Sequence, residues 1–301
     1  MERTPGARVD ILLEDVAARR KPGGYAAFKR WARKNPIGTM GLCLILILGT
    51  MAATADIVAT HEPNDLRADN NLGISSEHYL GTNTVGADIF SRLLYGARIS
   101  LAVGIASVFL GITAGALLGL ATGYIGGLFD LLVQRLIDAK IAIPRIILAM
   151  TLMAILGASA TNVVIAIAIG YIAQATRITR SVVLREKEKV YTEAARAIGA
   201  SSTRIMLRHI LPNSISPYLV LVSVDIGSAI IAEASLSYLG AGVGPDTPSW
   251  GGMLARAAED YYQITPMLAI APGVAISMAV LGLNLFGDSI RDTLDPRLRG
   301  R

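Results

Sequence analysis

The chain has 301 residues, of which 52% are hydrophobic and 17% are charged, and its formal net charge is +5. This composition excludes an ordinary soluble domain, because several apolar runs are long enough to cross a lipid bilayer. The single cysteine, Cys43, excludes an intrachain disulfide and a zinc site built from several cysteines. The basic residues cluster between particular apolar runs, so we attribute them to membrane topology and expect no nucleic-acid partner.

The N-terminal residues 1–36 form a basic tail, which the positive-inside rule keeps in the cytoplasm. Tyr25, Phe28 and Trp31 have helical spacing, which predicts an interfacial helix beside the basic residues. A disordered tail with one such helix at its end is the alternative. The apolar residues 37–60 predict the first transmembrane helix, which we interpret as an uncleaved signal anchor because the preceding tail is far longer than a usual leader.

A polar loop over residues 61–98 follows, and we expect it outside the membrane. Residues 99–287 are then predicted to form the transmembrane core with the five remaining spans. The second span, residues 99–124, contains glycine at every fourth position from Gly111 to Gly123. Small residues on one helix face let two membrane helices approach closely, so this pattern favours helix packing. A pore-lining stripe is the alternative.

The predicted third span, residues 131–156, contains ionisable groups that a bilayer tolerates poorly. Asp138 lies three residues after Arg135, close enough for an ion pair on one helix face. These groups either face a water-filled path or extend snorkelling side chains to the cytoplasmic interface. Arg145 fits the interface explanation poorly.

The fourth span is predicted over residues 163–178 and continues as a charged helix into a cytoplasmic loop at 185–213. The fifth span, residues 215–238, contains Asp225 and Glu233. Their spacing of eight residues places both carboxylates on roughly one helix face, about two turns apart. Both are therefore candidates for buried groups.

An external loop at residues 240–263 suits Trp250, Tyr261 and Tyr262, whose amphipathic rings fit a membrane interface. The sixth span, residues 264–286, contains two prolines that predict a kink. A basic cytoplasmic tail follows at 288–301. The chain is thus predicted to be an all-α integral membrane protein with six transmembrane helices and both ends inside.

The cytoplasmic segment 191–212 is an island of charge between apolar runs. Residues 193–198 predict a short helix that Gly199 can end in the left-handed conformation. Ser201 or Ser202 can cap a second helix that runs to about His209, and Pro212 is expected to stop it. An ordinary polar loop remains an alternative, whereas the apolar flanks argue against a soluble helix-turn-helix that reads DNA.

This segment resembles the EAA loop of permease subunits in binding-protein-dependent ABC importers. The resemblance implies the type I permease fold and a coupling helix seated in a cleft of a separate ATPase subunit. The residues it assigns to ATPase coupling are Glu193, Ala194, Ala195, Arg196, Gly199, Leu211 and Pro212.

Three further stretches resemble the dipeptide and oligopeptide branch and its C-type subunit: residues 78–101, 233–254 and 284–297. Asn83 and Ala87 depart from this pattern, which puts a local charge pair in doubt. In the third span, Arg135, Asp138 and Pro144 match the branch, whereas Lys140 and Arg145 are unusual for it. The resemblance implies a bacterial plasma (inner) membrane location, a related B-type permease subunit, one or two ATP-binding subunits and an extracytoplasmic substrate-binding protein.

The chain contains no GxxxxGK[S/T] phosphate loop, so it cannot supply a P-loop ATPase site. We therefore expect no cofactor, metal or catalytic residue in this chain, with ATP and Mg bound by partner ATPase subunits. Arg145, Asp225 and Glu233 are candidates for lining the pathway. The alternatives are an ion-coupled secondary transporter that uses intramembrane carboxylates and a scaffold that only anchors partners. The substrate stays open among dipeptides, oligopeptides, nickel chelates, glutathione and haem.

Overall fold

The computed structural model describes residues 24–66, 68–259 and 265–294, and these residues form a bundle of helices. The helices are α1 (Gly24–Lys34), α2 (Pro36–Ala53), α3 (Ala55–Val58), α4 (Ile89–Ile125), α5 (Gly127–Ile141), α6 (Arg145–Leu156), α7 (Ala160–Lys187), α8 (Val190–Ala197), α9 (Ser202–Ile205), α10 (Leu211–Tyr238), α11 (Trp250–Glu259) and α12 (Met267–Leu294). Predictions for Tyr261, Tyr262 and the basic end of the tail lie outside the described residues.

The number of membrane spans agrees with the all-α prediction. Among the residues that the structure describes, five helices are long and apolar enough to cross a membrane, and the bent pair α5 and α6 makes a sixth if the two are counted as one span. Several spans are longer than their apolar runs: α4 begins at Ile89 rather than at residue 99, and α7 continues to Lys187. A helix can continue past its apolar run, because its hydrogen bonds are made by the backbone and polar residues can form them too.

The predicted packing role of the second span's glycines is confirmed. Gly111, Gly115, Gly119 and Gly123, here called the glycine seam, lie on α4 where it contacts α7. A Cβ atom on Gly111, Gly115 or Gly119 would collide with backbone carbonyl oxygens of α7. At Gly123 a Cβ would lie 2.9 Å from Val183 Cβ. The two backbones therefore meet in direct contact, as small residues allow in membrane helices.

The third span is not the straight helix predicted over residues 131–156. It consists of α5 and α6, which are bent by 91° at a short break. Pro144 stands at this break as the N-cap of α6. Proline lacks a backbone N–H and disfavours the helical conformation of the residue before it, which explains why the helix ends at Ile141. The predicted Arg135–Asp138 contact is present at 3.9 Å.

The prediction that Pro212 stops the helix is wrong. Residues 202–238 form one continuous helical rod, in which α9 leads through a π-helical turn, Met206–Ile210, into α10. The Leu211 N–H donates to the Met206 carbonyl, five residues back. The wide turn precedes Pro212 and leads directly into the first turn of α10, where a proline is tolerated.

The first predicted span, residues 37–60, divides into α2 and the short α3 with a turn at Thr54. Helix α2 packs along α12, and α1 reaches the far end of α12, where Trp31 Nε1 donates to Thr293 Oγ1 at 3.1 Å. This contact brings the start and end of the described bundle to one side. Assignment of that side to the cytoplasm rests on the basic residues and stays a prediction.

Candidate functional site

The predicted coupling residues lie in a compact loop between α7 and α10 and in the first turn of α10. Helix α8 ends at Ala197, and Gly199 follows it with a φ of +77°, in the left-handed conformation that was predicted. The Gly199 N–H donates to the Arg196 carbonyl at 3.0 Å, and the Ala200 N–H donates to the Ala195 carbonyl at 3.0 Å. These two bonds form a Schellman motif, which requires a left-handed residue that glycine adopts at low cost. The turn direction is thereby fixed.

The second half of the loop is capped by Ser201, whose Oγ accepts from the Arg204 N–H at 3.3 Å. This agrees with one of the two predicted caps. The helix that Ser201 begins does not stop at His209, because the π-helical turn carries it into α10. The loop is therefore continuous, through this helical rod, with a helix long and apolar enough to span a membrane.

The loop has one buried face and one exposed face. Ala195 is 6% exposed and packs with Leu120, Val183 and Ile205 at the ends of α4, α7 and α9. On the other face, Ile198 is 85% exposed, and the coupling residues Glu193, Ala194, Arg196 and Gly199 are exposed with it. Leu211 is half-buried and Pro212 is exposed at the start of α10. The exposed face combines apolar and charged groups suited to a protein partner.

A buried carboxylate, Glu186, fixes α8 to the end of α7 and was not among the predicted residues. It accepts from Tyr191 Oη at 2.5 Å and pairs with Lys189 Nζ at 2.7 Å. Asn213 Nδ2 donates to Tyr191 Oη at 3.1 Å, which extends the network to α10. Burial and the hydrogen bond to Glu186 raise the pKa of Tyr191. The charge-rich sequence around Glu186 gave no signal that only this glutamate is buried.

Of the three predicted pathway residues, Arg145 lies on the surface of a cavity. It begins α6, directly after the break in the third span, and its guanidinium lies 5.2 Å from the centre of the Tyr171 ring. It borders two adjoining cavities of about 210 and 480 Å³. The role of Arg145 in lining the pathway stays a prediction.

Asp225 is 7% exposed on α10. Gln174 Nε2 on α7 approaches Asp225 Oδ2 at 3.5 Å, and Tyr171 Oη donates to the Asp225 carbonyl at 3.3 Å. These contacts place Asp225 between α7 and α10, behind the Tyr171 ring over which Arg145 lies.

Glu233 is 0% exposed and holds several helices together. It accepts hydrogen bonds from Ser100 Oγ at 3.0 Å and Ser237 Oγ at 2.9 Å. Ser100 Oγ in turn accepts from the Trp250 N–H at 3.1 Å, so α4, α10 and α11 share one network. A carboxylate enclosed by hydroxyls is a structural connector in this conformation, and its predicted role in lining the pathway stays a prediction.

Local hydrogen bonds hold the segment around Asn83 and Ala87, which is predicted to lie outside the membrane. Asn83 Oδ1 accepts from the Ala87 N–H at 2.7 Å, and Ala87 is fully buried. Asp88 Oδ2 caps α4 by accepting from the Ser91 N–H at 2.7 Å, and Asp88 Oδ1 lies 3.0 Å from His78 Nδ1. The side-chain contacts of Asp88 therefore include the imidazole of His78.

Comparison with known proteins places these features in one family. Residues 101–300 match the family described as the binding-protein-dependent transport system inner membrane component. The chain is 42% identical over 273 residues to the glutathione transport system permease protein GsiD of Pectobacterium atrosepticum, with 90% of each chain covered. It is 42% identical over 275 residues to GsiD of Escherichia coli O6:K15:H31, which covers 91% of this chain and 90% of the relative.

The match covers the core from the second span to the tail, and the relatives extend it over most of the remaining chain. The helical fold with membrane-spanning helices agrees with this assignment. The chain belongs to the inner-membrane permease components of binding-protein-dependent ABC importers, in the branch that resembles dipeptide and oligopeptide permeases.

Proposed function

We propose that this permease subunit forms half of a peptide translocation pathway and receives ATPase motion through the loop at residues 185–213. The observation that carries the proposal is the exposed face of α8, whose direction is fixed by the Gly199 turn. Exposed Ile198 and Arg196 offer this face an apolar anchor and a cation for a partner's carboxylates.

The route of transmission runs through two connections. Glu186 and Tyr191 join α8 to the end of α7, and the continuous rod from α9 into α10 joins the loop to the next span. A displacement of α8 thus moves two transmembrane helices together, which is the element that alternating access requires. ATP and Mg would be bound by the partner ATPase subunits.

The remaining partners follow from the family. A related B-type permease subunit would complete the pathway, and an extracytoplasmic binding protein would deliver substrate to the external loops. The relatives are named for transport of glutathione, a tripeptide, and this supports a peptide-type substrate for the present chain.

The test is replacement of Gly199 by valine in the assembled complex. Valine is disfavoured at a φ of +77°, so the turn must change and α8 must reorient. We expect ATP-driven uptake to fall about tenfold or more, within the range of typical coupling free energies, while membrane insertion is retained.

Gly127→Val is the matched control, because Gly127 also has a positive φ, +61°, and open space at its Cβ position, but lies outside the loop. It should leave uptake near the wild-type level. Equal uptake by the Gly199 and Gly127 variants would contradict the coupling role. Uptake by the wild type that follows an ion gradient and ignores ATP would contradict the importer mechanism itself.

A further inference from the structure

A cationic cavity lies beside the break in the third span. It has a volume of about 480 Å³ and is bordered by Lys140, Arg145 and Arg177, with Gln174 as a neutral polar neighbour. The remaining border is mostly apolar, from Ile141, Ile143, Pro144, Ala173 and Ile178. The cavity is open to the surface of this chain, where Arg145 and Arg177 are exposed. Three cations beside membrane-spanning helices are costly unless an anion or water solvates them.

The cations differ in how they are neutralised. Arg177 binds Asp138, which also contacts Arg135. Lys140 Nζ donates to the Gly170 carbonyl, an uncharged group. Arg145 lies over the Tyr171 ring. Within residues 24–66, 68–259 and 265–294, no carboxylate forms an ion pair with Lys140 or Arg145. Two positive charges at this cavity therefore lack a counterion at contact distance.

Asp225 is a nearby carboxylate that could neutralise Arg145. Its carboxylate attracts Arg145 electrostatically, but Gln174 is the side chain that contacts it. One carboxylate beyond ion-pair distance cannot satisfy both the ammonium of Lys140 and the five donors of Arg145. The start of α6 at Arg145 adds the partial positive charge of a helix N-terminus to the same region.

We propose that this cavity is a carboxylate-binding site on the translocation path and that the transported peptides are anionic. Arg145 binds the carboxylate by paired N–H donors, and Lys140 adds a point charge from the other side of the break. The proposal rests on the proposed peptide importer function. It adds the substrate's charge and the residues that recognise it.

The first test uses the complete complex, with both permease subunits, the ATPase and the binding protein, in proteoliposomes. Uptake of Ala-Glu-Ala is compared with that of Ala-Gln-Ala, each at a concentration that saturates the binding protein. In Arg145→Gln, the ratio of anionic to neutral uptake should fall about tenfold, because a hydrogen bond to a charged group is lost. Arg145→Lys should keep part of the preference.

Arg135→Gln is the matched control, because Arg135 is a cation of the same broken span whose side chain is 75% exposed and does not border the cavity. It should leave the ratio unchanged. Equal loss of uptake of both peptides in Arg145→Gln, or no change in either, overturns the proposal. The counterion of Arg145 would then be a lipid headgroup or a carboxylate of the partner permease. Absence of ATP-driven uptake in the wild type instead contradicts the proposed function.

A second test needs no substrate. In a Cys43→Ser background, Arg145→Cys in the complex is labelled with an anionic sulfonate thiol reagent and with a cationic trimethylammonium one. Lys140 and Arg177 should make the anionic reagent several-fold faster, and adding Lys140→Gln should remove most of that preference. A cationic preference, or no labelling by either reagent, overturns the proposal.

Discussion

Helix α7 is contacted in two different ways along its length. Against α4 it meets the glycine seam, where backbone touches backbone and no side chain can be added. Against α5 it is held by ion pairs, Arg180 with Asp130 at 2.7 and 2.6 Å and Arg177 with Asp138. We call the second set the charged joint. The close backbone packing at the glycine seam allows one arrangement of α4 and α7, whereas ion pairs between long side chains can exchange partners. Relative movement is therefore expected at the charged joint.

The largest effect should come from breaking the seam with Gly115→Leu. A Cβ atom there collides with the Ile172 carbonyl and lies 2.7 Å from Ala175 Cβ, so α4 and α7 must separate. We expect a loss of about 3 kcal/mol or more in the free energy of unfolding, measured by thermal denaturation of the purified complex. Gly49→Leu, on α2 with no atom within 4 Å of its Cβ position, should have little effect. Similar losses in both variants would contradict the distinction.

An intermediate effect is expected at Glu233, which belongs to the fixed part of the bundle. Glu233→Leu leaves the Ser100 and Ser237 hydroxyls without their acceptor and should destabilise the protein by about 2–3 kcal/mol. Glu233→Gln keeps one acceptor oxygen and should cost about 1 kcal/mol. Denaturation midpoints and uptake should fall together. A variant with full stability and abolished uptake would instead place Glu233 on the pathway.

The smallest effect on stability is expected at the charged joint. Asp130→Asn weakens the paired contact with Arg180, whose side chain is 30% exposed, and should cost about 1 kcal/mol. Hydrogen exchange should rise in α5 and stay unchanged in α4. A double-mutant cycle with Arg180→Gln measures the interaction itself. A coupling free energy near zero, with unchanged exchange in α5, would show that the joint does not hold α5.

The sequence predicts which segments form the helices of the bundle better than it predicts where those helices are interrupted. The glycine seam was predictable because a four-residue repeat of small side chains defines a helix face without knowledge of the partner. Pro212 was expected to stop a helix and Pro144 was placed inside an unbroken span, yet only Pro144 separates two helices. The difference lies in the helical turn before each proline. The turn before Pro212 widens into a π-helical turn, whereas the helix before Pro144 ends, and tertiary packing decides between these outcomes.

The candidate site shows the same division. The Gly199 turn was predictable, because a left-handed residue after a short helix has a local signature. The separation of Glu233 from Arg145 was not predictable. Residue spacing identifies a face of a helix, but it does not show which residues cover that face. Ser100 and Trp250, which enclose Glu233, come from distant parts of the chain. The cavity beside Lys140 and Arg145 was hidden for the same reason, because residues of α7 form its other side.

The π-helical turn Met206–Ile210 sets how the loop is aimed relative to the bilayer. A π turn contains one residue more than the α-helical register allows, and each residue advances a helix by about 100°. Removal of one residue from this turn would restore the ordinary register and swing everything before it around the axis of α10 by about a quarter of a circle. The extra residue therefore sets the direction in which the exposed face of α8 points relative to α10.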